Sequence, residues 1–103
     1  MRQVISESDR PRPEETEIVA TWVVVQGRVE GDAATLRIDR LIADYFVRLG
    51  RADGGWSTLY RDPTDGRFWE HSYPQSEMHG GGPPRLQVMP PAAAAAKYGV
   101  SAG

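Results

Sequence analysis

The longest patterned stretch of the chain is "DAATLRIDRLIADYFVRLG", Asp32–Gly50, where Leu36, Leu41, Ile42, Tyr45 and Leu49 recur at three- to four-residue steps. That spacing puts them on one stripe of a helix. Ile38 and Phe46 widen the stripe, while Arg37, Asp39, Arg40, Asp44 and Arg48 fill most of the other positions. Asp32 suits the N-cap, because its carboxylate can accept from a free first-turn amide, and Gly50 suits a C-terminal stop. The start is open, since "ATLRI" also reads as a strand. The apolar stripe predicts a helix lying on a sheet.

Strand signals flank it. In "EIVATWVVVQGRVE", Glu17–Glu30, the consecutive Trp22, Val23, Val24 and Val25 predict a central strand covered on both faces, with Trp22 in the core. Gly27 marks a bulge or the weakening end of that strand, and "EGD" turns the chain. Further on, "WSTLYR" and "RFWEHSY" read as two strands joined by "DPTDG". Pro63 pre-sets φ for a turn, Asp62 can bond back to the turn backbone, and Gly66 can take a positive φ, so the pair reads as a hairpin. Alternation places Arg67, Trp69, His71 and Tyr73 on one face of the second strand, and Phe68, Glu70 and Ser72 on the other. "RLQVM" is one more short strand. "PPAAAAAKYG" is a short helix, with proline in its first turn, Lys97 at its negative end and Gly99 as its stop.

The expected architecture is α+β: a small, mostly antiparallel sheet with one main helix packed on one face and a short C-terminal helix. Residues 1–16 are charged and proline-rich and read as a mobile arm, 17–98 as the single domain, and 99–103 as a frayed end.

Composition narrows the class. At 103 residues the chain suits one domain. It has no cysteine, which excludes disulfides, zinc–thiolate sites and a thiol nucleophile. A net charge of -2 argues against nonspecific nucleic-acid binding, which needs a basic face. No apolar run suits a signal peptide or approaches the roughly 18 residues of a membrane span, so a soluble, cytoplasmic protein without a membrane partner is expected. An exposed edge strand would allow a weak homodimer beside the monomer.

Candidate chemistry crowds into "GRFWEHSYPQSEMHGGGPPRL", Gly66–Leu86, which holds both histidines. His71 and His79 with Glu70, Glu77, Asp62 and Asp65 supply oxygen and imidazole ligands, yet their spacings match no established metal motif. On a strand, Glu70 and His71 point to opposite faces. Ser57, Ser72 and Ser76 sit in no Gly-x-Ser-x-Gly elbow. Glu70 and Glu77 are candidates for acid–base work, set against a salt-bridged pair with Arg67 or Arg61. "GGGPP" lacks the lysine and Ser/Thr of a phosphate loop. It reads as a covering segment with special backbone needs, or as the rigid lip of a binding surface. Of the aromatics Trp56, Tyr60, Trp69 and Tyr73, some must be core, yet Tyr60, Arg61, Arg67, Trp69 and Tyr73 cluster around the hairpin with the composition of interface hot spots, and Trp69 and Tyr73 suit core and interface equally.

The order of these landmarks resembles a known family. Gly55-Trp56, Leu59-Tyr60, Asp62-Pro63, Asp65-Gly66-Arg67, Trp69-Glu70, Tyr73-Pro74, Glu77 and Gly80 to Pro84 are similar to the signature of bacterial immunity proteins from polymorphic toxin systems, immunity protein family twenty-seven. "RIDRLI", Arg37–Ile42, looks like that family's helix, and the resemblance spans roughly residues 17–98. The charged arm and the alanine run lie outside the pattern. The resemblance implies a non-catalytic protein that neutralises a toxin encoded by a neighbouring gene through stoichiometric binding. The family's toxins vary and include predicted nucleases. No cofactor, metal or catalytic residue is implied.

On that reading the expected partner-binding residues are Asp62, Asp65, Arg67, Trp69, Glu70, Tyr73, Glu77 and His79. The carboxylates would complement a basic nuclease site, and Arg67, Trp69 and Tyr73 would be anchors. Two alternatives stand beside it. One is a small hydrolase or metal-dependent enzyme using His71, His79, Glu70 and Glu77. The other is a peptide- or protein-binding adaptor using the aromatic hairpin and the Gly-Pro lip.

Overall fold

A computed structural model describes residues 7–74 and 82–100. Among these residues seven strands and two helices follow in the order β1 (Glu17–Val19), β2 (Trp22–Val25), β3 (Arg28–Gly31), α1 (Ala33–Asp44), β4 (Val47–Ala52), β5 (Ser57–Arg61), β6 (Phe68–Ser72), β7 (Arg85–Met89) and α2 (Pro91–Tyr98). A single turn of 3-10 helix, Asp53–Gly55, links β4 to β5. Five strands form one antiparallel sheet in the order β1-β7-β6-β5-β4, while β2 and β3 make a separate two-stranded ribbon. The architecture is α+β, as its patterning predicts.

Helix α1 covers one face of the sheet. Ile38, Leu41, Tyr45 and Phe46 pack against Ile18, Tyr60, Trp69 and Leu86. Helix α2 covers the other, where Ala94 meets Leu59 and Phe68 with Leu49, Met89 and Tyr98 around them. The split follows from strand alternation: Trp69 and Phe68 are neighbours in sequence and belong to opposite faces. At the start of α1, Asp32 accepts from the Thr35 amide at 2.9 Å, the expected cap. A Cβ on Gly31 would lie 2.6 Å from Thr35 Cγ2, so the approach of β3 to α1 requires glycine there.

The helix ends earlier than its periodicity suggests. It stops at Asp44, and the Tyr45 and Phe46 amides both donate to the Leu41 carbonyl, at 3.1 and 2.7 Å. Phe46 turns into the core and Val47 opens β4. Gly50 is therefore no helix stop. It lies in β4 at a register shift between Arg48 and Gly50, with Tyr98 of α2 3.7 Å from where its Cβ would be.

The valine run is also placed differently from expectation. Among the described residues β2 pairs only with β3, through a two-residue turn in which Gln26 and Gly27 have φ of 51° and 76°. Val24 is 73% exposed and Trp22 only half-buried, so neither the central strand nor a core Trp22 is found. "EGD" is not the turn; Arg28–Gly31 is a strand.

Residues 9–16, expected as part of a mobile arm with little to bury, are tied to α1 and the hairpin. Asp9 binds Arg40 through both carboxylate oxygens, at 2.8 and 3.0 Å. Glu15 receives two bonds from Arg37, at 2.8 and 2.9 Å. Arg67 donates to the backbone carbonyls of Glu15 and Arg12, at 2.6 and 3.0 Å. These bonds supply what apolar burial does not.

The Arg37 guanidinium holds the Glu15 carboxyl down at about 2, against an ordinary 4.5. A carboxylate with a depressed folded pKa stabilises fully above its unfolded pKa and loses that contribution on acidification. Stability should therefore fall as pH drops from about 4.5 to about 2. Glu15→Gln removes that component. Urea midpoints measured across this window should slope less in the variant than in the natural chain.

Candidate functional site

The hairpin positions most of the residues singled out above, and its turn shows how. Asp62 is buried and accepts from the Tyr45 hydroxyl at 2.8 Å and the Thr64 amide at 2.7 Å. The Gly66 amide closes the turn onto the Asp62 carbonyl at 2.8 Å, with Gly66 at φ 78°. Asp62 is thus a turn anchor, closed to a partner by its own burial. Asp65 accepts from the Arg67 amide at 2.9 Å and pairs with its guanidinium at 2.7 Å. That guanidinium lies over the Trp69 ring, 5.1 Å from its centroid. Trp69 has no exposed surface and stacks on Phe46 at 6.0 Å, so it anchors the core and no partner reaches it directly.

Glu70 faces α2. It accepts from the Tyr98 hydroxyl at 2.7 Å and pairs with Lys97 at 2.8 Å, and Lys97 also reaches Asp53 at 3.1 Å. Burial, then the bond to Glu70, pushes the Tyr98 phenol far up, so it stays a donor. This cluster fastens α2 to the sheet. Glu77 and His79 lie outside the described residues.

His71 and Tyr73 belong to the opposite face, beside α1. There α1 leaves part of the sheet open, and a groove of about 470 Å³ remains. Its walls include Asp39 and Ile42 of α1, Arg51 of β4, Tyr60 of β5, His71 of β6 and Tyr73. The register explains the grouping. Thr58 pairs with both Arg51 and His71, and Tyr60 with both Arg48 and Trp69. Residues directly opposite across strands share a face.

Along the groove, rings meet edge to face. Tyr60 and His71 centroids are 6.4 Å apart, His71 and Tyr73 5.1 Å, and Tyr73 and Trp56 5.5 Å. The series runs from buried Tyr60 to Trp56, which is 51% exposed. Burial pushes the His71 pKa down, opposed by the nearby Asp39 carboxylate. The imidazole is held in its neutral form at neutral pH. Burial raises the Tyr60 phenol, while the charges of Arg48 and Arg51 pull the other way.

Glu70 and His71 therefore do not converge, which removes the pairing at the centre of the enzyme alternative. Among the described residues no three of His, Cys, Asp and Glu stand close enough together to hold a metal. Also among them, no helix is long and apolar enough to cross a membrane. Of the eight expected partner residues, the groove contains Tyr73 alone among those described. It adds Arg51, Tyr60, His71 and Asp39, with Arg48 and Trp56 at its margins. "VRLGRA" carries the overlooked signal: read as a bulged strand, it puts both arginines on the aromatic face.

The fold and groove define a small α+β domain that presents a concave surface of aromatic rings and arginines. The chain belongs to the Immunity protein 27 family, whose sequence model matches residues 24–90, and an immunity role comes with that membership. Neither a curated protein nor a solved structure matches the chain.

Proposed function

We propose that this protein neutralises a cognate bacterial toxin domain, encoded by a neighbouring gene, by binding it directly, one to one, in the cytoplasm. Membership of the immunity family carries this reading. The exposed Trp56 and half-buried Tyr73, with Arg48 and Arg51 near the neighbouring Tyr60, support it by composition, since tryptophan, tyrosine and arginine dominate binding hot spots. Inhibition then needs no reaction: the protein has only to cover or distort the toxin's site. A nuclease is one target class open to it. Cells expressing the neighbouring gene's toxin domain should survive when this protein is co-expressed and die without it. Death in both cases would refute the immunity reading for that pair.

A further inference from the structure

The charges available to a partner have the opposite sign from those the hairpin sequence suggests. Asp62 is buried, Asp65 is paired with Arg67, and Glu70 with Lys97. These carboxylates already serve the fold. Arg48 and Arg51 differ. Both are exposed, both lie on the aromatic face of β4, and neither forms an ion pair with another described residue. Among the described residues Asp39 is the one carboxylate lining the groove, and it sits on the α1 wall.

From this we infer that the groove between α1 and the face of β4–β6 receives an acidic segment of the toxin domain. The inference rests on the immunity reading and deepens it. Arg48 and Arg51 are free to pair with incoming carboxylates, and planar guanidinium groups bind these bidentately. Trp56 and Tyr73 offer ring surface, and their edge-on contact already orders them. A preordered ring loses little side-chain freedom on binding. Opposite charge across the contact would also steer the encounter and make it salt-sensitive.

Two measurements decide it. The first is calorimetric titration with the neighbouring gene's toxin domain. The double variant Arg48→Glu/Arg51→Glu should weaken binding by about 100-fold, as truncated or reversed charge pairs do. Trp56→Ala should weaken it by about tenfold. Arg28→Glu, on the ribbon, is the control and should stay within about threefold. Thermal midpoints establish that each variant is folded, and Arg51→Gln, expected to lose about tenfold, replaces the double variant if that one unfolds. Wild-type affinity in a folded groove variant would overturn the proposal. The second measurement needs no toxin: NMR titration with a glutamate-rich decapeptide and a lysine-rich one at low salt. The acidic peptide should shift the Trp56 indole and the His71 and Tyr73 amides, and the basic peptide should not. Equal response, or none, would also overturn the groove. If the wild-type protein does not bind the toxin domain at all, the immunity reading falls by itself and the peptides decide the groove.

Discussion

Trp69→Ala should lose about 3–5 kcal/mol of folding stability, the usual range for emptying a large aromatic site in a core. For a domain of this size that is a large part of the whole, which typically runs about 5–15 kcal/mol. The cause is position. Trp69 lies on the central strand β6 with no exposed surface, stacked on Phe46 and covered by the Arg67 guanidinium. Removing the indole opens a cavity between α1 and the sheet and leaves Arg67 without the ring beneath it. Trp69→Phe should cost clearly less. It keeps a ring, and the indole nitrogen it discards has no hydrogen-bond partner among the described residues. Urea unfolding of the three proteins gives the order directly. A loss below about 1 kcal/mol for alanine would contradict the burial.

Asp62→Ala should cost about 2 kcal/mol, for a different reason. The cavity is small, but two donors lose their acceptor: the Tyr45 hydroxyl at 2.8 Å and the Thr64 amide at 2.7 Å. Tyr45 keeps its contact with the Thr64 hydroxyl, which limits the damage. Asp62→Asn retains an oxygen that can accept both bonds and should cost less than half as much. Because Tyr45 and Asp62 share one bond, Tyr45→Phe combined with Asp62→Ala should be less damaging than the sum of the two single changes. Urea unfolding of all four variants tests the scheme. A folded Asp62→Ala that also lost more than tenfold in toxin affinity would show that Asp62 acts at the interface after all.

The hairpin was legible because its chemistry is local. Asp62, Pro63 and Gly66 specify one turn, and alternation from Arg67 onwards separates two faces. The end of α1 was not, since Leu41, Ile42, Tyr45 and Leu49 continue a helical spacing into a strand. No glycine or proline interrupts them. The break comes from Phe46 turning into the core, and only tertiary packing rewards that. Trp22–Val25 misled for a related reason. A run of apolar β-formers states a preference for strand but does not say which strands will cover it.

The charged residues misled most. Sequence shows that a carboxylate is present, not whether it is already paired. Asp62, Asp65 and Glu70 bind internal donors, and Glu15 and Asp9 are matched to arginines on α1. Arg48 and Arg51 became candidates only once β4 existed, because its bulged pairing sets them opposite Tyr60 and Thr58 on one face.

The family signature covers 24–90, whereas β1 ends at Val19 and α2 begins at Pro91. The first supplies Ile18 to one core and the second Ala94 to the other. The stretch that the family model matches is thus shorter than the stretch that packs into the two cores. The two flanks behave as bookends, one closing a side edge of the sheet and one roofing its far face.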